Sequence, residues 1–110
     1  MAAFIKGDIV VLPFPFSDLS SSKRRPALVL ADLEGDDIIL CQITSKNTRD
    51  NSAISLENSD LTSGALSMSS NIRPNRLFTA DKSIIAYTLG RLSQSKYSEV
   101  TGKIIDLIEW

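Results

Sequence analysis

The sequence predicts a mainly β fold: a small, strongly bent antiparallel barrel followed by one C-terminal helix. Three observations carry that expectation. Short apolar runs rich in β-branched residues recur at intervals of about ten residues, separated by clusters of Gly, Pro, Ser, Asn and Asp. Two of these runs flank the turn Glu34-Gly35-Asp36-Asp37 in the manner of a hairpin. Over residues 93–110 the apolar period changes from that of a strand to that of a helix.

Each element follows in order. The stretch GDIVVLPFPF, residues 7–16, opens on a Gly-Asp turn and continues as a β-branched strand. Pro13 and Pro15 lack the amide donors of a central strand position, so the strand ends at an edge, a bulge or an exit into a loop. A loop rich in serine and charge, SDLSSSKRR, leads to RPALVLADL, expected as a fully buried second strand with Pro26 at its first position. ADLEGDDIILCQITS is expected as a hairpin whose returning strand is the long apolar run IILCQIT. Beyond the polar loop KNTRDNS, three further short strands are expected in AISLEN, ALSMSSNIRP and RLFTAD. SIIAYTLGRL fits either a strand or a short helix. In the final segment Tyr97, Val100, Ile104, Leu107 and Ile108 fall at helical spacing, with Ser93 or Ser95 available as N-cap and Gly102 as a weak point.

A chain of 110 residues with 43% hydrophobic content is expected to form one domain, residues 1–110, large enough for a single core. Cys41 is the sole cysteine, which rules out an internal disulfide and fits a reducing compartment. The start MAAFIKGDIV lacks the basic-then-apolar layout of a secretory leader, and no apolar run approaches the ~18 residues of a membrane span. A cytoplasmic protein without membrane contact is the expectation.

The net charge of −1 lacks the basic balance usual in nucleic-acid binders, but its distribution is uneven. Asp32, Glu34, Asp36 and Asp37 crowd one turn, while Lys23, Arg24, Arg25, Lys46, Arg49, Arg73, Arg76 and Lys82 fall in other connecting segments. If those segments meet on one side they form an anion site; otherwise the charges are scattered and solvated. Histidine is absent altogether. That removes Ser-His-Asp and Cys-His catalysis and, with one cysteine, a zinc site of ordinary type. Chemistry in this chain must run on arginine, carboxylate, hydroxyl and backbone groups.

Taken together and in order, GDIVVLPFPF, KRRPALVL, QITS, IRPNRLFTADKS and LGRLSQSKYSEV resemble the PemK/MazF family of toxins from bacterial toxin–antitoxin pairs. Each motif is weak alone; the ordered set spans nearly the whole chain. The resemblance implies an SH3-like barrel with a terminal helix, commonly a homodimer. It implies metal-independent, sequence-selective cleavage of single-stranded RNA, with no cofactor, and a cognate antitoxin that blocks the RNA groove.

Cleaving RNA without a metal uses the 2′-hydroxyl against its own neighbouring phosphorus, which needs proton transfer and cations for the developing phosphorane charge. Arg25, held at the strand entrance by Pro26, matches the family's catalytic arginine, and a planar guanidinium suits a phosphate. Its plain alternative is a solvated loop cation or a structural salt bridge. Lys23 and Arg24 would add general phosphate attraction, or remain loop cations. Thr44 and Ser45 match the family's hydroxyl pair at the end of the third strand, with Thr44 the catalytic candidate and Ser45 an RNA contact or a turn residue. Arg73 matches a second family arginine.

Asn75 departs from the family pattern, in which an aspartate often stands two residues after that arginine. An amide can hydrogen-bond to RNA but cannot take a proton at neutral pH. Three readings follow: Arg25 and Thr44 suffice; another carboxylate (Asp18, Asp50 or Asp81) replaces the aspartate; or the protein binds RNA and cleaves it weakly. Among the seven aromatic residues, Phe14 and Phe16 are the candidates for stacking on bases, with core packing the alternative for Phe14. Trp110 is expected to cover the barrel end or a dimer contact. Two other function classes compete: a toxin on the same barrel that inhibits DNA gyrase through its C-terminal residues, and a non-catalytic SH3-like binding module.

Overall fold

A computed structural model describes residues 4–14, 23–44 and 51–109 of the chain. Within them lie seven strands and a helix in the order β1 (Asp8–Phe14), β2 (Lys23–Asp32), β3 (Asp37–Thr44), β4 (Ile54–Leu56), β5 (Leu61–Gly64), β6 (Ser70–Asp81), β7 (Tyr87–Leu92) and α1 (Gln94–Ile108). All the strands join one sheet, β4-β6-β3-β2-β1-β7-β5, in which every pairing is antiparallel. The sheet curls into a half-barrel, and α1 packs against β6.

A curled sheet buries both faces, and the apolar residues divide accordingly. Ile9, Leu28, Cys41, Ile43, Ile72 and Leu92 form one cluster with Val100 of α1. Val10, Leu12, Phe14, Ala27, Val29 and Leu40 form a second cluster on the opposite face. Alternate residues of β1 therefore enter different cores, which is why DIVVLPF reads as an unbroken apolar run and not as an alternating one. The helix starts where Ser93 accepts the Lys96 amide, so Ser93 and not Ser95 is the cap. Tyr97 and Ile104 pack on the first cluster, and the Tyr97 hydroxyl donates to the Leu30 carbonyl at 3.3 Å.

Several sequence expectations need correction. Pro26 is the fourth residue of β2, not the first, because β2 starts at Lys23. The proline is tolerated because the β2–β3 ladder begins only at Ala27↔Gln42, leaving no β3 acceptor short of a donor. β2 is fully buried only over Ala27–Val29. Pro13 likewise lies past Val11↔Tyr87, the last β1–β7 pair, so its side of the strand is an edge. The expected break between ALSMSSNIRP and RLFTAD does not occur. β6 runs through Pro74 by means of a bulge, in which the β3 partners advance from Cys41 to Ile43 while the β6 partners retreat from Leu77 to Ile72. SIIAYTLGRL resolves into a 3₁₀ turn, Lys82–Ile84, followed by β7. The short β5 was not foreseen. Leu107 and Ile108 continue the apolar stripe of α1 but are exposed, Ile108 at 74%, because the stripe outruns the sheet beneath it.

Candidate functional site

Antiparallel register places side chains on faces, and it separates the cations of the KRR triplet. Leu12 lies opposite Arg25 and Pro13 opposite Arg24. Partners in an antiparallel pair share a face. Arg25 therefore belongs to the face of Leu12 and Phe14, and Arg24 to the other. On the β3 side the ladder ends at Ala27↔Gln42, and the same register carried two residues beyond that end would bring Arg25 towards Thr44. Thr44 pairs in turn with Asn71 of β6, and Arg73, two residues on, returns to that face. Neighbouring strands lie about 4.8 Å apart. Arg25, Thr44 and Arg73, all half-buried, thus span three adjacent strands on one face.

The Thr44 hydroxyl is buried and makes no hydrogen bond to a described residue. A buried hydroxyl left unmatched costs about 1–3 kcal/mol, so its neighbourhood is built to receive a polar group. Arg25 Nε, on the neighbouring strand β2, is likewise buried. Arg73 is held through its backbone: the Cys41 thiol donates to the Arg73 carbonyl at 3.1 Å, and Pro74 is fully buried at the next position. Asn75 and Arg76, further round the same bulge, are exposed.

Burial pushes the Cys41 thiol up to about 12. Thiolate is therefore scarce at neutral pH and Cys41 is no nucleophile. Iodoacetamide at pH 8 is expected to leave Cys41 unmodified in the folded protein and to alkylate it once urea unfolds the chain, as mass spectrometry would report. Rapid labelling of the native state would contradict this burial. Because the folded state keeps a proton that the unfolded chain has lost, the thiol's contribution to stability is complete below its ordinary pKa and disappears as the pH rises towards 12.

Among the described residues, two hollows border this region. One of about 610 Å³ lies on the Arg25 face, lined by Leu12, Phe14, Gln42, Phe78 and Ile84, with Arg76 at its mouth. A smaller one, of about 270 Å³, is bordered by Arg24, Arg25, Pro26, Met68 and Tyr87. Phe14 is not an exposed stacking surface. It is 9% exposed and meets Phe78 edge-on, with ring centroids 5.1 Å apart, because β1 continues through Pro13 to Phe14. Lys23 and Arg24 are exposed. Lys82 is committed elsewhere: it pairs with Asp32 and donates to the carbonyls of Leu33 and Gly35, neutralising the acidic β2–β3 turn. That pairing holds the Asp32 carboxyl below its ordinary range.

Asp81 is removed as a substitute base. It lies opposite Asp37, whereas Thr44 lies opposite Asn71, so seven β3 residues, about 24 Å of strand, separate the two. Its carboxylate caps the Ser83 amide, which holds it below the usual carboxylate range. Phe16, Asp18, Ser45, Lys46, Arg49, Asp50 and Trp110 lie outside the described residues. Gln42 is the site-facing group that sequence reasoning missed, whereas Arg76 was already among the cations of a possible anion site. The signal for Gln42 was present: it is the one amide in the apolar run IILCQI.

The profile of the PemK-like, MazF-like toxins of type II toxin–antitoxin systems matches residues 5–108. The chain belongs to this family. It is the toxin component of such a system. Solved structures agree in fold. A MazE–MazF crystal structure from Deinococcus radiodurans superposes with a TM-score of 0.76 at 22% identity, covering 98% of this chain and 97% of that one. An endoribonuclease from a Mycobacterial species, in complex with its cognate antitoxin, gives 0.75 at 12% identity, with 98% and 99% covered. The Mycobacterium tuberculosis toxin MazF-mt6 gives 0.73 at 16% identity, with 94% and 99% covered. Sequence comparison with curated proteins gives no significant match. Among the described residues of this toxin, no helix is long and apolar enough to cross a membrane.

Proposed function

We propose that this toxin is a metal-independent endoribonuclease that cleaves single-stranded RNA at selected sequences, with Arg25, Thr44 and Arg73 as its catalytic groups. The observation that carries the reading is the register that puts Arg25 on the Leu12 face of β2 and Thr44 on the Gln42 face of β3, the two faces that Ala27↔Gln42 joins. In the reaction the 2′-oxygen attacks the adjacent phosphorus and loses its proton to solvent. The P–O5′ bond breaks, O5′ takes up a proton, and the products are a 2′,3′-cyclic phosphate and a 5′-hydroxyl. Arg25 holds the non-bridging oxygens as charge builds on them, since a guanidinium is always charged and bidentate towards phosphate. The Thr44 hydroxyl donates to the same phosphoryl group, which satisfies its buried oxygen. Arg73 supplies a second cation. Lys23 and Arg24 add attraction for the rest of the strand, and Ser45, Phe16 and the Asn75 amide are further RNA contacts.

The partners follow the same reading. The mycobacterial endoribonuclease is bound to its cognate antitoxin and the Deinococcus MazF to MazE. We extend that pairing to this toxin: an antitoxin segment that orders on binding occupies the RNA groove. The toxin acts as a homodimer in the cytoplasm, where its RNA substrate is found.

Purified toxin incubated with a long single-stranded RNA in EDTA tests the proposal. Discrete cuts ending in 2′,3′-cyclic phosphate are expected. Intact RNA together with loss of gyrase supercoiling would favour a gyrase inhibitor, and intact RNA alone a binding module. The same assay addresses Asn75. An aspartate there is exposed and ionised at neutral pH, so it can accept the 2′-proton. Asn75→Asp is expected to raise the cleavage rate about tenfold or more with RNA affinity little changed. The gain should vanish as the pH falls through ~4, where the new carboxylate protonates. An unchanged or lower rate would mean that no proton acceptor is missing at this position.

A further inference from the structure

Gln42 is a polar side chain in an otherwise apolar setting. It is 8% exposed, on the same β3 face as Leu40 and Thr44, and lines the larger hollow. Its amide makes no hydrogen bond to a described residue, unlike Asp8, the comparably buried carboxylate that is paired with Arg91 and the Ile5 amide. The amide atoms are not among the fully buried unpaired polar atoms, so they keep access to water through the hollow, where a ligand can replace that water with direct hydrogen bonds. The surrounding walls are those of a small-molecule pocket. They are mostly apolar, enclosing about 610 Å³, within the ~300–1,000 Å³ usual for such sites, with one amide at the side and one cation at the mouth.

We propose that this hollow takes one unstacked nucleobase of the bound RNA, and that Gln42 reads the edge of that base. The inference rests on the ribonuclease reading above and deepens it. Thr44 and Gln42 are two residues apart on one strand face, about 7 Å, so a phosphoryl group held at Thr44 leaves a neighbouring base within reach of the hollow. A primary amide presents a donor and an acceptor side by side, the pattern that nucleobase edges present in return. Leu12, Ile84 and the Phe14–Phe78 pair offer a flat ring the apolar contact that an unstacked base needs. Arg76, exposed at the mouth, is placed for the phosphate beyond that base. An apolar side chain from a second copy of the toxin would leave the amide unsatisfied. A base satisfies it.

The test compares wild type with Gln42→Leu, a swap of similar size compatible with the apolar walls, on a pool of RNA randomised around the cut. Ratios of cut sites within one pool do not depend on overall activity. Discrimination at one position of the recognised word is expected to fall about 5- to 100-fold. If both proteins cut the pool with the same ratios at every position, the base hollow is wrong and the ribonuclease reading stands. If wild type does not cut at all, the ribonuclease reading fails and the hollow is decided by the wild-type Gln42 side-chain amide signal in a ¹⁵N–¹H spectrum. Displacement of that signal by one or more of the four nucleoside monophosphates, but not by ribose 5-phosphate, supports the hollow. No displacement by any nucleotide, or displacement only with rising protein concentration, overturns it; the latter assigns the hollow to a second copy.

Discussion

Arg25→Ala is expected to lower RNA cleavage by about 10²- to 10³-fold, the loss typical when one preorganised donor to a developing oxyanion is removed. The physical reason is placement. Arg25 lies on the face of Leu12, which Thr44 of the neighbouring strand shares and where the phosphoryl oxygens are to be held. Arg24 is the internal control, since it differs from Arg25 by one residue and lies opposite Pro13 on the other face. Arg24→Ala should reduce the rate by less than tenfold, chiefly at low salt, as expected for a cation that only attracts the strand. Circular dichroism and the melting temperature of each variant establish that the fold is retained. Expression in a bacterium gives a second readout: Arg25→Ala should spare growth, and Arg24→Ala should not. Retained toxicity in the Arg25 variant, or equal losses at both positions, would remove Arg25 from the catalytic assignment.

The largest structural effect is expected at Gly64. Gly64 of β5 lies opposite Gly90 of β7 and has φ +80°. A Cβ at Gly64 would lie 2.1 Å from the Leu89 carbonyl oxygen and 2.5 Å from Gly90 Cα, both backbone atoms that no rotamer change can move aside. Gly64→Ala therefore combines a left-handed conformation with a backbone clash, and should cost about 2–4 kcal/mol. For a domain of this length that corresponds to a fall in Tm of about 10–20 °C. Gly35→Ala separates the two contributions. Gly35 has φ +78° but nothing within 4 Å of its would-be Cβ, so only the conformational cost of about 1–2 kcal/mol applies. Urea or thermal melts of the two variants should differ clearly. Equal losses would mean that the β5–β7 crossing yields, as an edge strand can by peeling away.

Much of the fold was legible locally. The apolar run of β1, the turn at Gly35 and the Ser93 cap each depend on residues a few positions apart. The failures were also physical. Pro74 looked like a strand break, yet a bulge absorbs it, because β3 on one side and β4 on the other hold β6 in place around it. β5 was missed because LTSG has one apolar residue, and its strand conformation comes from pairing with β7. Phe14 looked exposed because prolines flank it, whereas its partner is Phe78, sixty-four residues away.

The amino-acid order alone determined the mainly β class, the closing helix, the absence of histidine chemistry and the ordered motifs that assign the chain to its toxin family. Each depends on residue type or on short-range periodicity, which need no knowledge of distant neighbours. Tertiary structure alone decided that adjacent Arg24 and Arg25 serve opposite faces, that Lys82 belongs to an acidic turn, and that Gln42 looks into an apolar hollow. These are consequences of strand register. A shift of one residue in pairing exchanges the faces of a strand, and pairing is settled by partners far away in the chain.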